Sequence, residues 1–201
     1  MNETLKRALS GAVYVAIMWF GAFCSKLSFH ILFVAILLVC LYEMYKLRKG
    51  KTKTLTFLYV LAPLLLIHFI KTELVLLMFI LTWTFDTFAY LVGIKFGKHK
   101  IMPSVSPKKS WEGFAGGFIF TIIAAYLTAN YFSEIELNQA SVISLFLPFT
   151  ATLGDFIESH YKREAGVKDS GNFIPGHGGM LDRMDAFMIT IPTIYILINL
   201  L

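Results

Sequence analysis

The sequence predicts an all-α, polytopic integral membrane protein with about seven transmembrane helices. Of its 201 residues, 57% are hydrophobic and 15% are charged, whereas a soluble domain is roughly half apolar and about a quarter charged. A helix needs about 20 apolar residues to cross a bilayer, and apolar runs of about this length account for most of the chain. We therefore expect one membrane-embedded domain over residues 1–201, without a separate soluble domain.

Seven apolar segments define the predicted membrane spans. They cover approximately residues 9–24, 27–46, 54–70, 73–94, 111–132, 140–158 and 184–201. The first segment follows Lys6 and Arg7, which is also the pattern of a secretory signal. Its candidate cleavage site, "GAFCS", is poor, and another apolar segment follows at once. A retained first helix is therefore favoured.

The basic residues are divided unequally between the two sides of this topology. Sixteen Lys and Arg residues lie before the first helix or between helices two and three, four and five, and six and seven. Only Lys26 and Lys71 lie on the opposite side. The positive-inside rule then places the N-terminus in the cytoplasm and the C-terminus outside. The net charge of +5 thus comes from basic residues whose distribution indicates orientation in a membrane, and it does not indicate binding to nucleic acid.

Five acidic residues are predicted to converge on the cytoplasmic side. Asp86 lies in the inner half of the fourth helix, Asp155 and Glu158 end the sixth, and Asp182 and Asp185 begin the seventh. An acid inside a transmembrane helix costs about 2.5–3.5 kcal/mol, so several acids at one depth suggest a shared partner. Carboxylate oxygens without thiolate ligands suit Mg²⁺. The alternative is that these acids pair with Lys and Arg at hydrated helix ends, and it is strongest for Glu158.

Basic side chains and a glycine loop are predicted on the same side as the acids. This combination suits a polyphosphate, because Lys supplies a point charge, Arg a bidentate fork, and glycine lets backbone N–H groups approach closely. The residues are Lys108, Lys109, Lys162, Arg163, Lys168 and Arg183, with Gly176, Gly178 and Gly179 in "PGHGG". His177 in this loop is either a general acid or a hydrogen-bond donor to phosphate. Alternatively, it donates a hydrogen bond to the loop's own carbonyls.

The segment "MPSVSPKKSWEG" precedes the fifth helix. Ser106 and Pro107 predict the start of that helix, because Ser is a frequent N-cap and Pro is frequent in the first turn. The lysines that follow are either membrane-surface anchors or phosphate ligands.

One long motif resembles a known family. The stretch "SHYKREAGVKDSGNFIPGHGGMLDRMDA" resembles the signature of CTP:phosphatidate cytidylyltransferases, also called CDP-diacylglycerol synthases. The upstream stretches "FDTFAYLVGIKFGKHK", "SPKKSWEG" and "LGDFIES" resemble the family in order and spacing. The resemblance covers about residues 80–190, which would carry the catalytic half. Tyr161 departs from the family's usual aliphatic residue or Phe, and the chain is shorter than typical members between helices two and four.

The resemblance implies that CTP and phosphatidate give CDP-diacylglycerol and diphosphate in phospholipid biosynthesis. The lipid phosphate would attack the α-phosphorus directly, so that catalysis consists of positioning and charge neutralisation. The implied catalytic residues are Asp155, Lys162, Asp182 and Asp185, the three aspartates as ligands of Mg²⁺ and of any second cation. The implied substrate-binding residues are Ser159, Arg163, Lys168, His177, Gly178, Gly179, Arg183, Lys108 and Lys109.

The resemblance also implies the partners and the location of the protein. CTP would come from the cytoplasm and phosphatidate from the inner leaflet of a bacterial cytoplasmic membrane. Family members form homodimers, so a homodimer is expected on the resemblance alone.

Three other functions share features with this one. The same CTP chemistry on an isoprenoid or ether-lipid acceptor stays open. A cation transporter would place its acids near the bilayer midplane, often in repeated halves, whereas these acids gather at one face and the sequence has no repeat. CDP-alcohol phosphotransferases carry a motif that begins Asp-Gly and ends Gly-x-x-x-Asp-x-x-x-Asp, which the sequence lacks.

Overall fold

The computed structural model describes residues 3–49, 54–132 and 134–200. Within these ranges the chain forms seven α-helices and one β-hairpin, so the predicted all-α fold is confirmed. The helices are α1 (Glu3–Phe23), α2 (Lys26–Leu47), α3 (Thr54–Leu66), α4 (Thr72–Phe96), α5 (Trp111–Tyr131), α6 (Leu137–Glu164) and α7 (Leu181–Leu200). A short 3-10 turn, Ile67–Phe69, follows α3. The orienting side chains of Lys6 and Arg7, together with Lys51 and Lys53, lie outside the described part.

Several helices have the length and composition of membrane spans. Helices α2, α4, α5 and α6 are each long and apolar enough to cross a bilayer, and shorter apolar helices cover Leu9–Phe23 and Thr54–Phe69. Many large apolar side chains point outward, as expected when the surroundings are lipid; examples are Leu27, Leu38, Leu55 and Tyr126. The protein is thus an all-α membrane protein, and its seven spans stay a prediction.

The helices pack largely in chain order. Helix α4 packs on α5, α5 on α6 and α6 on α7, while α3 packs against α2 and α7, and α1 against α2. Fully buried apolar side chains from five of these helices form the core: Met44, Leu64, Leu77, Leu147 and Leu181.

A glycine sets the distance between α6 and α7. A Cβ atom on Gly154 would collide with the backbone carbonyl oxygen of Asp185. Only glycine therefore allows the two helices to approach this closely. The contact places Asp155, the next residue of α6, beside Asp185 of α7.

A β-hairpin connects α4 to α5. Strand β1 (Lys100–Met102) pairs antiparallel with β2 (Ser106–Ser110). The predicted helix start at Ser106 and Pro107 is therefore wrong. Helix α5 begins at Trp111, and its N-cap is Ser110, whose Oγ accepts a hydrogen bond from Gly113 N at 3.2 Å. The capping rule applies, but to Ser110 and not to Ser106, because strand β2 continues from Ser106 as far as Ser110.

Candidate active site

Three carboxylates from α6 and α7 form an acidic cluster, which consists of Asp155, Glu158 and Asp185. One oxygen from each lies within 4.8 Å of the others. Asp155 and Glu158 are three residues apart and therefore share a face of α6. Glu158 is completely buried, and in the described part of the chain its Oε1 makes no hydrogen bond. Like charges this close and this buried need compensation by cations.

Two lysines contact the acidic cluster. Lys109 on β2 forms an ion pair with Asp155, and its ammonium lies 5.2 Å from the centroid of the Phe156 ring. Lys162, one turn after Glu158 on α6, forms an ion pair with it. The alternative of ion pairing is thus realised for Asp155 and Glu158. Two ammonium groups do not balance three ionised carboxylates, so the donor set fits an added cation.

Asp182 has a different environment from Asp185. Its Oδ1 accepts a hydrogen bond from Lys162 Nζ at 2.7 Å, and its Oδ2 accepts from Ser170 N at 2.9 Å and Gly179 N at 2.7 Å. The group of closely spaced oxygens contains Glu158 and not Asp182. The assignment of Asp182 as a metal ligand therefore stays a prediction. Because Gly179 donates its N–H to Asp182, its role as a substrate ligand also stays a prediction.

The glycine loop before α7 is a closed turn. Ile174 N donates to Gly178 O, and His177 N donates to Ile174 O, both at 2.9 Å. Gly178 has a φ of +86°, and a Cβ atom there would lie 2.6 Å from Asp182 Oδ2. Glycine is required on both counts, since L side chains avoid this conformation. The loop is thereby fixed against the first turn of α7.

His177 ties this loop to α1 and α7. Its Nδ1 lies 3.1 Å from Ser10 Oγ, and the Ser10 hydroxyl donates to Pro175 O at 2.7 Å. The carbonyl oxygen of His177 accepts a hydrogen bond from Arg183 Nη2 at 2.6 Å. The imidazole therefore contacts another helix and not a carbonyl of its own loop, while its role toward substrate stays a prediction.

Glu43 on α2 belongs to this region, although the sequence did not indicate it. It is 4% exposed, and its carboxylate accepts hydrogen bonds from Ser170 Oγ at 2.9 Å, Met180 N at 3.1 Å and Leu181 N at 2.8 Å. A carboxylate at a helix N-terminus satisfies free N–H groups and the helix dipole. We call Glu43, Ser170 and Asp182 the loop anchor. The one available signal was an acid in a segment with otherwise basic charges, "LYEMYKLRK".

Asp86 lies between two cavities beside the acidic cluster. One cavity of about 280 Å³ is lined by Asp86 together with His177, Arg183 and Asp185. A second, of about 240 Å³, is lined by Asp86 together with residues of the hairpin, including Lys108 and Lys109. The five predicted acids from three helices therefore do meet in one region.

The remaining predicted site residues lie at the edge of this region. Ser159 Oγ donates to Asp155 Oδ1 at 3.3 Å, directly beside the acidic cluster. Arg163 is exposed and donates to Val167 O at 2.9 Å, which closes the turn after α6. Lys168 is also exposed, on the loop that follows. The role of the latter two side chains as substrate ligands stays a prediction.

The fold and this region define an α-helical membrane protein with a buried site of acidic and basic side chains, whose acids come from α4, α6 and α7. The chain belongs to the cytidylyltransferase family, whose sequence profile matches residues 64–201.

Relatives with assigned names agree with this family. The phosphatidate cytidylyltransferase of Thermotoga maritima is 46% identical over 126 residues, which are 60% of this chain and 47% of the relative. That of Staphylococcus aureus strain COL is 44% identical over 126 residues, 62% of this chain and 48% of the relative. The chain therefore spans about half the length of the curated relatives it matches.

Proposed function

We propose that the protein is a phosphatidate cytidylyltransferase, which converts CTP and phosphatidate into CDP-diacylglycerol and diphosphate. The family and the names of the relatives support this activity. The single observation that carries it is the acidic cluster of Asp155, Glu158 and Asp185 with Lys109 and Lys162 at its edge. Such a site suits a divalent cation and a polyphosphate, which CTP chemistry requires.

The acidic cluster suits Mg²⁺ as the cation. Its ligands would be the oxygens of Asp155, Glu158 and Asp185, which lie within 4.8 Å of one another. Glu158 supports this choice, because its Oε1 is buried without a hydrogen bond in the described part of the chain, while its Oε2 is paired with Lys162. Bound Mg²⁺ would neutralise and orient the phosphates of the nucleotide. Asp86, which lines the adjoining cavity, would be available to a second cation.

The two cavities suggest which residues bind CTP and which bind phosphatidate. Lys108 and Lys109 in the hairpin cavity would bind the triphosphate of CTP. Arg183 and His177 in the other cavity would bind the phosphate of phosphatidate. The exposed side chains of Arg163 and Lys168 would meet the nucleotide as it enters, and Ser159 would hold Asp155 in place or contact substrate.

The reaction is a direct displacement at phosphorus. An oxygen of the lipid phosphate forms a bond to the α-phosphorus of CTP, and the bond from that phosphorus to the bridging oxygen breaks. Diphosphate leaves with the bonding electrons. The protein's contribution is to hold the two charged substrates in line and to exclude competing water. Lys162 stays paired with Glu158 and Asp182 and so fixes the carboxylates around the reacting groups.

We further propose that the site faces the cytoplasm of a bacterial cell. The division of 16 basic residues against two supports this orientation. CTP would then reach the site from solution and phosphatidate from the inner leaflet. A homodimer is proposed on the family resemblance alone.

An activity assay tests the proposed function. The protein is purified in detergent and supplied with phosphatidate, labelled CTP and Mg²⁺, and we expect a labelled CDP-lipid. Asp185→Asn should abolish nearly all product, while the control Glu136→Gln, at the N-cap of α6 far from the acidic cluster in the chain, should retain activity. Full activity of Asp185→Asn would contradict the assigned ligand. Product with an isoprenoid phosphate but none with phosphatidate would contradict the lipid substrate.

A further inference from the structure

An apolar groove runs between α1 and α2 and ends at the glycine loop. We propose that this groove holds an acyl chain of the phosphatidate substrate; the proposal rests on the proposed function and specifies how the lipid is bound. The occupant is thus the hydrocarbon part of the lipid whose phosphate reacts.

The groove has the shape and polarity of a hydrocarbon site. Its volume is about 600 Å³, and its lining, within the described residues, contains no charged side chain. Its long walls consist of Leu9, Val13 and Ile17 on α1 and Leu32, Ile36 and Val39 on α2. At a rise of 1.5 Å per residue, the eight steps from Leu9 to Ile17 span about 12 Å. Such an elongated apolar space suits an extended chain better than a compact ligand.

The groove is continuous with the site described above. Tyr14 and Ile174 line both the groove and the cavity that contains Arg183 and Asp185. A phosphate held by Arg183 would therefore lie beside the end of the groove. Phosphatidate has the same division into a charged phosphate and apolar chains, which argues for this occupant over a purely apolar partner.

The end of the groove is tied to the phosphate side of the site. Ser10, which also lines the groove, donates to Pro175 O at 2.7 Å and lies 3.1 Å from His177 Nδ1. A Cβ atom on Gly11 would lie 3.3 Å from His177 Cε1, so the backbone of α1 lies directly against this ring. The position of α1 thus determines both the groove and the position of His177.

Both helices of the groove precede the matched part of the chain. The family profile begins at residue 64, whereas the groove walls lie on α1 and α2. Selection among acyl chains would therefore reside in the part of the protein that the family profile does not match.

A tryptophan in the groove tests this assignment by kinetics. Ala35 lines the groove and is exposed, so Ala35→Trp should fill the space without disturbing the core. Ala16 on α1 is also exposed but does not line the groove, so Ala16→Trp is the matched control. We expect Ala35→Trp to raise KM for dioleoyl phosphatidate about tenfold, as when roughly two methylenes lose apolar contact. KM for CTP, and all constants of Ala16→Trp, should stay close to those of the unchanged protein.

The length of the acyl chains distinguishes an effect on the groove from a general loss of activity. With dihexanoyl phosphatidate, Ala35→Trp should behave like the unchanged protein, because short chains occupy little of the groove. An equal loss with both lipids, or an equal loss in Ala16→Trp, would overturn the proposal.

Photo-crosslinking gives a readout that does not depend on catalysis. Phosphatidate with a diazirine in its acyl chain is added to the purified protein, and labelled peptides are mapped by mass spectrometry. Label concentrated on residues 9–18 and 32–39 supports the groove, even if no CDP-lipid forms and the proposed function fails. Label spread evenly over lipid-facing helices, including α5, overturns the groove whether or not the protein is active.

Discussion

The acidic cluster and the loop anchor both contain acidic side chains at the start of α7, but the carboxylate oxygens of the two groups have different partners. In the loop anchor, Glu43 and Asp182 accept hydrogen bonds from backbone N–H groups, from Ser170 and from Lys162. In the acidic cluster, oxygens of three carboxylates face one another within 4.8 Å. The acceptors of the loop anchor have their donors within the protein. The acidic cluster has the ammonium groups of Lys109 and Lys162 at its edge in the described part of the chain, and its three carboxylates could hold a metal ion.

This difference separates structural from functional acids. Buried polar groups that are fully hydrogen-bonded rigidify a fold, and buried charges without enough partners destabilise it unless a ligand compensates. Substitutions in the loop anchor should therefore lower stability, and substitutions in the acidic cluster should mainly lower the response to Mg²⁺. The following predictions test that separation in detergent-solubilised protein, from the largest expected effect to the smallest.

Glu43→Ala should cause the largest loss of stability. It leaves the N–H groups of Met180 and Leu181 without their acceptor, while the Ser170 hydroxyl keeps Asp182. Each unpaired buried donor costs about 1–3 kcal/mol, so the free energy of unfolding should fall by about 2–6 kcal/mol. Chemical denaturation measures it. Glu136→Ala is the control, because this exposed residue makes no side-chain capping bond. Equal stability of both variants would show that Glu43 is not an anchor.

Mg²⁺ should stabilise the unchanged protein but not Asp185→Asn. A ligand at a hundredfold excess over its Kd contributes about 2.7 kcal/mol to the folded state, and this contribution should vanish on chelation with EDTA. The measurement is Tm with and without Mg²⁺. Without Mg²⁺, Asp185→Asn should be at least as stable as the unchanged protein, because it removes one of three like charges. A Mg²⁺ response that persists in the variant would place the cation elsewhere.

Gly179→Ala should destabilise the loop anchor by overpacking. Its Cβ atom would collide with Ser170 Oγ and lie 2.6 Å from Glu43 Oε1, and such overpacking typically costs about 1–3 kcal/mol. Gly93→Ala on α4 is the control, because its Cβ atom would lie no closer than 3.4 Å to Ser110 Oγ. The control should be unchanged or slightly stabilised, since Ala favours helix. Similar Tm values for the two variants would argue against a tightly packed anchor.

Ser170→Ala should have the smallest effect of the four. The hydroxyl contacts both Glu43 Oε2 at 2.9 Å and Asp182 Oδ2 at 3.1 Å, while both carboxylates keep their backbone donors. We expect a loss of about 1 kcal/mol in the free energy of unfolding, with the Mg²⁺-dependent shift in Tm intact. Loss of that shift would mean that the loop anchor and the acidic cluster are one site.

The helices and the convergence of the acidic side chains in one region were predictable from the sequence, because long apolar runs and isolated charges inside them are strong signals. The hairpin was not, because Ser106 and Ser110 are equally good N-caps. Only the length of β2, which runs from Ser106 to Ser110 along β1, shows that the helix begins after the second of them. The roles within the acids were also not predictable. Asp182 and Asp185 share a helix turn and both contact α6, but which of them meets the carboxylates of Asp155 and Glu158 depends on the close approach at Gly154.

Glu43 was the least predictable residue of the site. Its partners Met180 and Leu181 are 137 and 138 residues away in the chain. No local pattern on α2 indicates such a contact, since an acid near Lys46 and Arg48 is typical of a membrane surface.

The position of Glu43 has a consequence for where this protein can be divided. The first turn of α7 is capped by a side chain from α2, yet the family profile begins only after α2, at residue 64. A piece that begins where the family profile begins would therefore lack the side chain that caps α7. Anyone who swaps or trims the early helices alters the start of α7 at Leu181, four residues before Asp185, around which the chemistry is proposed to take place.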